Sequence, residues 1–152
     1  MKVANAMSRK VDYVTPETRV KEFSKLIFSR GINGVPVIKV KKVIGFITER
    51  DILQQFFPSV REYMEDPVNE ANFEKMEKKI SRIFDLSAKK IMSKRPITVT
   101  PDVPILEALS MMFMHKVGRL PVIDKKGRMV GIIAKRDIFK YLIGKRLEWK
   151  SF

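Results

Sequence analysis

The segment Gly45–Asp51, with the sequence GFITERD, recurs 86 residues later as Gly131–Asp137, with the sequence GIIAKRD. In each copy an apolar, strand-like run leads directly into a charged segment that is typical of the start of a helix. Gly, Arg and Asp occupy the same places in both copies, whereas Thr48 is replaced by Ala134. This strand-to-helix junction predicts that the chain contains two copies of one folding unit.

Three further motifs extend the repeat towards the N-terminal side of each junction. They recur at an offset of 85 residues, and a one-residue insertion in the turn 124–127 explains the change to 86. A shared register of this length indicates an internal duplication. The motifs are Met7-Ser8 and Met92-Ser93, Thr15-Pro16 and Thr100-Pro101, and Pro36-Val37-Ile38 and Pro121-Val122-Ile123.

Each copy predicts the element order β-α-β-β-α. The residue before a proline avoids the α region, so the chain stays extended up to each Thr-Pro. A helix with an apolar stripe follows, and then come two strands and a second helix. In the first copy, the predicted elements are an extended piece 11–16, a helix capped by Thr18 and stopped at Gly31, strands 35–40 and 43–48, and a helix from Glu49. In the second copy, they are an extended piece 97–101, a helix from about Pro104, strands 120–123 and 129–134, and a helix from Lys135.

The apolar stripes of the first helices are expected to face the core. They are Val20, Phe23, Ile27 and Phe28 in the first copy, and Ile105, Ala108, Leu109 and Met112 in the second. Between the copies, Phe73, Met76, Ile80, Ile83 and Phe84 are spaced for one amphipathic helix. The predicted fold class is α/β, with two βαββα repeats packed as a pseudo-two-fold pair. Repeat 1 covers residues 1–57, a helical linker covers 58–87, and repeat 2 with a basic tail covers 88–152.

The composition points to polyanionic partners. The 152 residues carry 31 Lys and Arg against 17 Asp and Glu, a net charge of +14. Such a balance favours association with nucleotide phosphates, nucleic acid or an acidic protein surface. The absence of cysteine, of a secretory signal and of an apolar run of about 18 residues predicts a cytoplasmic protein without a membrane span.

Catalytic constellations are missing from the sequence. There is one histidine, His115, at the end of a predicted helix, and there is no cysteine nucleophile. Neither the phosphate-binding loop pattern nor the dinucleotide-binding glycine pattern occurs, and the acidic residues are too scattered for a metal site. The chain is therefore predicted not to be an enzyme.

The residues Thr48 and Asp51 allow two interpretations. Their spacing is that of a capping box, in which both side chains satisfy backbone N–H groups of a helix start. A carboxylate at this place could instead accept hydrogen bonds from two ribose hydroxyls, and the threonine hydroxyl could bind a phosphate. Because Asp137 is kept where Ala134 has replaced its capping partner, the repeat favours a ligand role for the Asp positions.

Taken together, these duplicated motifs resemble a pair of CBS domains, also called a Bateman module, of the free-standing kind. The resemblance implies that AMP, ADP, ATP or S-adenosylmethionine binds in clefts between the two copies. It also implies a homodimer, and regulation of another protein through a ligand-dependent shift of populations.

The resemblance also assigns residues to two clefts. One cleft would use Phe46, Thr48 and Asp51, faced by Arg119, Pro121 and Arg136, with the backbone near Ile97 beside the adenine. The reciprocal cleft would use Ile132, Ala134 and Asp137, faced by Gly34, Pro36 and Arg50. Ala134 lacks a hydroxyl, and Gly34 lacks the charge of Arg119, its counterpart. We therefore expect tight binding at Asp51 and weak or no binding at Asp137.

Two alternatives stay open at the level of sequence. The net charge would suit a nucleic-acid-binding protein, although the basic C-terminal part offers few aromatic residues for base stacking. The changes at Ala134 and Gly34 would also suit a structural oligomerisation module with degenerate clefts.

Overall fold

The computed structural model describes residues 1–57, 60–65 and 73–147. The elements in this part of the chain are, in order, α1 Val3–Ala6, α2 Val20–Arg30, β1 Gly34–Lys39, β2 Lys42–Thr48, α3 Glu49–Gln54, α4 Val60–Glu65, α5 Phe73–Lys78, α6 Ile80–Phe84, α7 Ala88–Ile91, α8 Ile105–Met114, β3 Arg119–Ile123, β4 Met129–Ala134 and α9 Lys135–Leu147. The predicted order of helix, two strands and helix is confirmed in each copy, and the β4 bounds match the prediction. The extended piece before the first helix forms a single β-bridge in each copy rather than a full strand.

The chain divides into two compact units, and neither is one continuous stretch of sequence. Unit 1 contains Met1–Tyr13, Ile38–Ile44 and the chain from Arg95 onwards. Unit 2 contains Val14–Val37 and Gly45–Lys94. The N-terminal segment therefore belongs to the same unit as most of the second sequence repeat, and Ala88–Lys94 belongs with most of the first.

In unit 1, β3 and β4 pair in antiparallel fashion, with Arg119 opposite Ala134 and Pro121 opposite Ile132. The predicted extended piece joins them through a parallel bridge between Val99 and Val122. The helices α1, α8 and α9 pack around this sheet. The buried core is Val3, Val99, Ile105, Ala108, Met112, Leu120, Val122, Ile133 and Ile138.

Unit 2 has a similar arrangement around the parts of β1 and β2 that belong to it, Gly34–Val37 and Gly45–Thr48. A parallel bridge joins Val14 to Val37, and the Val14 N–H donates to the Pro36 carbonyl at 3.0 Å. The segment that precedes α7 closes the unit through a bridge between Arg19 and Ser87. Apart from prolines, the buried hydrophobic side chains of this unit are Val14, Val20, Phe23, Ile27, Val35, Val37, Ile47, Ile52, Ile83, Ala88 and Ile91.

The start and the stripe of α2 differ from the prediction. The helix begins at Val20 after Arg19, whose N–H is held by the Glu22 carboxylate at 3.1 Å. Thr18 is not the cap, because its hydroxyl accepts the Thr15 N–H at 3.0 Å instead. The stripe prediction was wrong for Phe28, which is 86% exposed. Successive helical residues are about 100° apart, so Phe28 turns away from the face that its buried neighbour Ile27 occupies.

The prediction of one linker helix was also wrong. The structure has two short helices, α5 and α6, with Lys79 between them. The break lets α6 pack against α2 and bury Ile83, whereas Ile80 remains 39% exposed. Apolar spacing alone therefore does not determine where a helix ends, because most helical stability in proteins comes from tertiary packing.

Candidate functional site

The junction between β2 and α3 is built as a capping box. The N–H of Thr48 donates to Asp51 Oδ2 at 2.8 Å, and the Thr48 hydroxyl donates to the same oxygen at 3.0 Å. In return, the N–H of Asp51 donates to Thr48 Oγ1 at 3.3 Å. The sequence pattern therefore predicted the local geometry, since each partner lies only three residues from the other.

The cap occupies only one of the two carboxylate oxygens of Asp51. Among the residues that the structure describes, Oδ1 of Asp51 has no hydrogen-bond partner. The side chain is half-buried, and the bonds to Oδ2 fix the orientation of the carboxylate that carries this oxygen. The capping role and a ligand-binding role are thus compatible, because they use different oxygens.

The second copy keeps the same cap without a hydroxyl. The N–H of Ala134 donates to Asp137 Oδ2 at 2.8 Å. The inference that Asp137 is kept without a capping function was therefore wrong. The backbone N–H is the essential partner of the carboxylate, and every residue except proline supplies one. Retention of Asp137 is explained by the cap and does not by itself indicate a ligand.

Each helix start is also tied to the beginning of the neighbouring strand. The N–H of Glu49 donates to the Asn33 carbonyl at 2.9 Å, and that of Lys135 donates to the Gly118 carbonyl at 3.1 Å. These bonds place the first residue of β1 or β3 beside the capped junction.

In unit 2 the residue at this place is Gly34, and only glycine fits there. An added Cβ would lie 2.7 Å from Phe46 Cε1, 2.8 Å from the Ile47 carbonyl oxygen and 3.1 Å from Thr48 Cγ2. The sequence analysis treated Gly34 as a missing charge. The structure shows that the ring of Phe46 and the methyl group of Thr48 occupy this space.

In unit 1 the equivalent residue is Arg119, which pairs with Ala134 across the sheet. Its guanidinium is partly buried, and burial lowers its pKa while the charges of Asp137 and Asp12 act in the opposite direction. Arg119 therefore stands in the electrostatic field of the carboxylate of its own copy. The smaller Ala134 leaves space that Thr48 fills in the first copy.

The Met-Ser motifs complete the two strands that carry the junctions. Phe46 and Ser93 exchange two backbone hydrogen bonds of 3.2 and 2.9 Å. Ser8 and Ile132 do the same at 2.9 Å each. Each Met-Ser motif thus pairs with the β-strand of the other sequence repeat, within unit 2 and unit 1 respectively.

This close pairing explains the two glycines that begin the quoted segments. A Cβ on Gly45 would overlap Met92 and lie 2.9 Å from the Ser93 carbonyl oxygen. A Cβ on Gly131 would lie 2.8 Å from the Ser8 carbonyl oxygen. Ser8 and Ser93 were not among the predicted site residues, although each recurs beside a methionine in the sequence.

The remaining predicted residues lie on the same strands and helices. Pro36 and Pro121 are buried, and their carbonyls accept the N–H groups of Val14 and Val99. Arg50 and Arg136 are exposed on the first turns of α3 and α9. Unit 2 thus contains Gly34, Pro36, Phe46, Thr48, Arg50 and Asp51, and unit 1 contains Ile97, Arg119, Pro121, Ile132, Arg136 and Asp137.

Residues 1–57, 60–65 and 73–147 contain no cluster of three acidic or histidine side chains that could hold a metal ion. In the same ranges, no helix has the length and apolarity that crossing a bilayer requires.

Two βαββα repeats, each with a capped strand-to-helix junction and a strand that a Met-Ser motif extends, define a tandem α/β repeat fold. The family model for the CBS domain matches residues 3–57 and 88–144. The chain belongs to the CBS domain family.

Relatives in sequence carry the same domains in different settings. Inosine-5'-monophosphate dehydrogenase of Korarchaeum cryptofilum is 31% identical over 131 residues, which are 86% of this chain but 22% of that enzyme. A CBS domain-containing protein of Dictyostelium discoideum is 31% identical over 143 residues, which are 93% of this chain and 90% of that protein. The chain spans less than half the length of two Methanocaldococcus jannaschii relatives that it also matches.

Solved structures share the fold. The CBS-pair protein CBSX2 from Arabidopsis thaliana has a TM-score of 0.78 at 21% identity, over 96% of each chain. A structure of CBSX2 in complex with AMP has a TM-score of 0.73 at 20% identity and covers 95% of this chain and 98% of that one. The CBS domain pair of protein MJ0100, in complex with 5'-methylthioadenosine and S-adenosyl-L-methionine, has a TM-score of 0.69 at 21% identity, with 95% and 98% coverage.

Proposed function

We propose that this chain is a regulatory module that binds an adenosine-containing ligand, with AMP, ADP, ATP and S-adenosylmethionine as the candidates. The observation that carries the proposal is the carboxylate of Asp51, which uses one oxygen for the helix cap and keeps the other without a partner among the described residues. A fixed carboxylate that only accepts hydrogen bonds suits the hydroxyl pair of a ribose.

The surroundings of Asp51 support the same ligand class. Phe46 is half-buried on the strand that leads to the junction, and Thr48 is half-buried at the helix start. An aromatic ring close to a polar acceptor is suited to a ligand with an apolar base and a polar sugar. The AMP complex of CBSX2 and the S-adenosylmethionine complex of MJ0100 show that proteins of this fold hold such ligands.

We propose further that the two Asp positions bind unequally. The Asp137 side has no threonine hydroxyl, and the charge of Asp137 already acts on Arg119 of its own copy. Ligand contacts from Ile97, Pro121, Arg136 and Arg119 to the Asp51 side rest on the family resemblance alone. They stay predictions, as do those from Gly34, Pro36, Arg50 and Ile132 to the Asp137 side.

Calorimetric titration of ligand-stripped protein with each of the four candidates tests the proposal. The decisive variant is Asp51→Asn, because the amide oxygen can still accept the Thr48 N–H while the other atom becomes a donor. Asp137→Asn is the matched control in the second copy. We expect saturable binding to wild type and to Asp137→Asn, and at least a tenfold loss in Asp51→Asn without a large change in thermal midpoint.

Either of two titration results would refute a part of this proposal. If no candidate binds wild type, the Thr48–Asp51 segment is a helix cap only. If both Asn variants lose affinity equally, the two sites are equivalent and the proposed inequality is wrong.

We also propose that the chain acts on another protein rather than by catalysis. The family model that matches is that of the CBS domain, and the dehydrogenase similarity covers only the CBS part of that enzyme. Ligand binding would then favour one arrangement of the module that a partner recognises. The identity of that partner and the cytoplasmic location stay predictions.

Formation of a homodimer is part of the proposal. Phe28 and Phe113 occupy equivalent positions in the two repeats, and their side chains are 86% and 63% exposed. Leu53 and Phe139 form a second equivalent pair, at 54% and 64%. Large apolar side chains exposed at matching positions of a duplicated unit suit a second copy of this chain, because symmetric interfaces reuse the same surface.

A further inference from the structure

The turns of the two hairpins lie side by side in unit 1. Lys42, just after the β1–β2 turn, pairs with Arg128 through an antiparallel bridge. The N–H of Met129 donates to the Lys41 carbonyl at 3.1 Å. The backbone thus joins two segments that are far apart in sequence and that both carry lysines.

These segments form what we call the basic turn surface, whose cations are all exposed. None of its five lysines forms a salt bridge with a residue that the structure describes. The one acid between Ile38 and Ile44 or between Ile123 and Met129 is Asp124, and Arg128 Nε holds it at 2.9 Å. The cations are Lys39, Lys41, Lys42, Lys125, Lys126 and Arg128.

The backbone of the first turn is strained in a way that favours a function for its side chains. Val40 and Lys41 have φ angles of 49° and 65°. A two-residue hairpin turn of this kind normally carries Asn and Gly, which adopt positive φ easily. A lysine occupies this position although glycine would relieve the strain, and its side chain is exposed.

We propose that the basic turn surface binds the phosphate backbone of nucleic acid. Several unpaired lysines on two adjacent turns supply point charges that can follow a row of phosphates. Neither turn has an aromatic side chain for base stacking, so binding should not depend on sequence. Val40 is the one large apolar side chain exposed among these described turn residues, whereas a lipid surface requires an apolar face. The basic turn surface contains none of the residues proposed for the adenosine site.

Fluorescence anisotropy with a labelled mixed-sequence oligonucleotide, single-stranded and as a duplex, tests this at increasing salt concentration. The logarithm of the association constant should fall linearly with the logarithm of the salt concentration. The triple variant Lys41→Gly, Lys42→Gln, Lys126→Gln should lower affinity at low salt by about tenfold or more and reduce the slope by about 1 per lysine. The matched control is Lys89→Gln with Lys90→Gln, because these exposed lysines lie on α7 in unit 2.

The single variant Lys41→Gly separates binding from folding. Glycine relieves the positive φ, so the thermal midpoint should rise by a few degrees while the affinity falls. Three results would overturn the proposal: no oligonucleotide binding at low salt, an equal loss in the α7 control, or binding to phosphatidylserine vesicles without binding to the oligonucleotide. Adenosine-ligand affinity should be unchanged in Lys41→Gly, so failure here leaves the proposed sensor function untouched.

Discussion

Gly34 lies directly against Phe46, so closely that a Cβ on Gly34 would stand 2.7 Å from the ring. The same Cβ would stand 2.8 Å from the carbonyl oxygen of Ile47, which is backbone and cannot turn aside. The first strand of unit 2 therefore approaches the capped junction more closely than a side chain allows. In unit 1, Arg119 occupies this position beside the smaller Ala134.

Gly34→Ala is expected to lower the free energy of unfolding by about 1–3 kcal/mol, since extra atoms forced into a packed site strain their neighbours. Urea unfolding of wild type and variant measures the difference. Phe46→Ile is the partner for a double-mutant cycle, because Ile132 is the second-copy equivalent. We expect partial rescue in the double variant, since the Ile47 carbonyl still resists. A Gly34→Ala variant as stable as wild type would contradict this packing.

Thr48→Ala should cost about 1 kcal/mol of stability, because the Asp51 N–H loses the oxygen that caps it at 3.3 Å. Thr48→Ser keeps that oxygen and should retain most of the stability. Chemical denaturation of the two variants side by side gives the comparison. Equal losses would show that the methyl group of Thr48, rather than its hydroxyl, stabilises the junction.

The carboxylate of Asp124 is expected to make the free energy of unfolding depend on pH. Its pKa lies below the ordinary value of 3.8, chiefly because the Arg128 N–H donates to it, with further bonds from the Arg128 side chain and the Lys126 N–H. A carboxylate whose folded pKa is lowered stabilises the fold above its unfolded pKa. This contribution is lost as the pH falls through the lower, folded value. Asp124→Asn should therefore be less stable than wild type near neutral pH, with the difference shrinking below about pH 4.

Thermal unfolding at a series of pH values measures this convergence. Glu17→Gln is the control, because Glu17 is exposed and has no hydrogen bond to a residue in the described part of the chain. A constant gap between Asp124→Asn and wild type at every pH would show that the carboxylate acts through the shape of its turn and not its charge.

The exposed aromatic pair predicts the oligomeric state. The double variant Phe28→Ser, Phe113→Ser should have the mass of a monomer under conditions in which wild type forms a dimer, because burial of these rings supplies much of the association free energy. Sedimentation velocity over a range of concentrations measures the mass. Phe57→Ser, at a residue that is 60% exposed and lies after α3, is the control. A wild-type monomer at high concentration would contradict the proposed dimer.

Features set by neighbouring residues were predictable from the sequence. The alternation of strands and helices follows from proline, glycine and apolar spacing, and the Thr48–Asp51 box follows from two side chains three residues apart. Gly31 ends α2 with a φ of 60°, as its position after the apolar stripe predicts. By contrast, the exposure of Phe28 and the break at Lys79 depend on which face of a helix meets the core.

The sequence by itself determined that two similar βαββα repeats form, because the duplicated register and the capping pattern act over a few residues. Only the tertiary structure decided which segments complete each unit. Met7-Ser8 pairs with Ile132, and Met92-Ser93 pairs with Phe46, so each motif extends the strand of the other repeat. Backbone hydrogen bonds do not depend on the identity of the side chain, so either Met-Ser motif could pair with either strand. At Gly34, Gly45 and Gly131, neighbouring chain segments come so close that a Cβ atom would not fit, and these contacts depend on the tertiary packing.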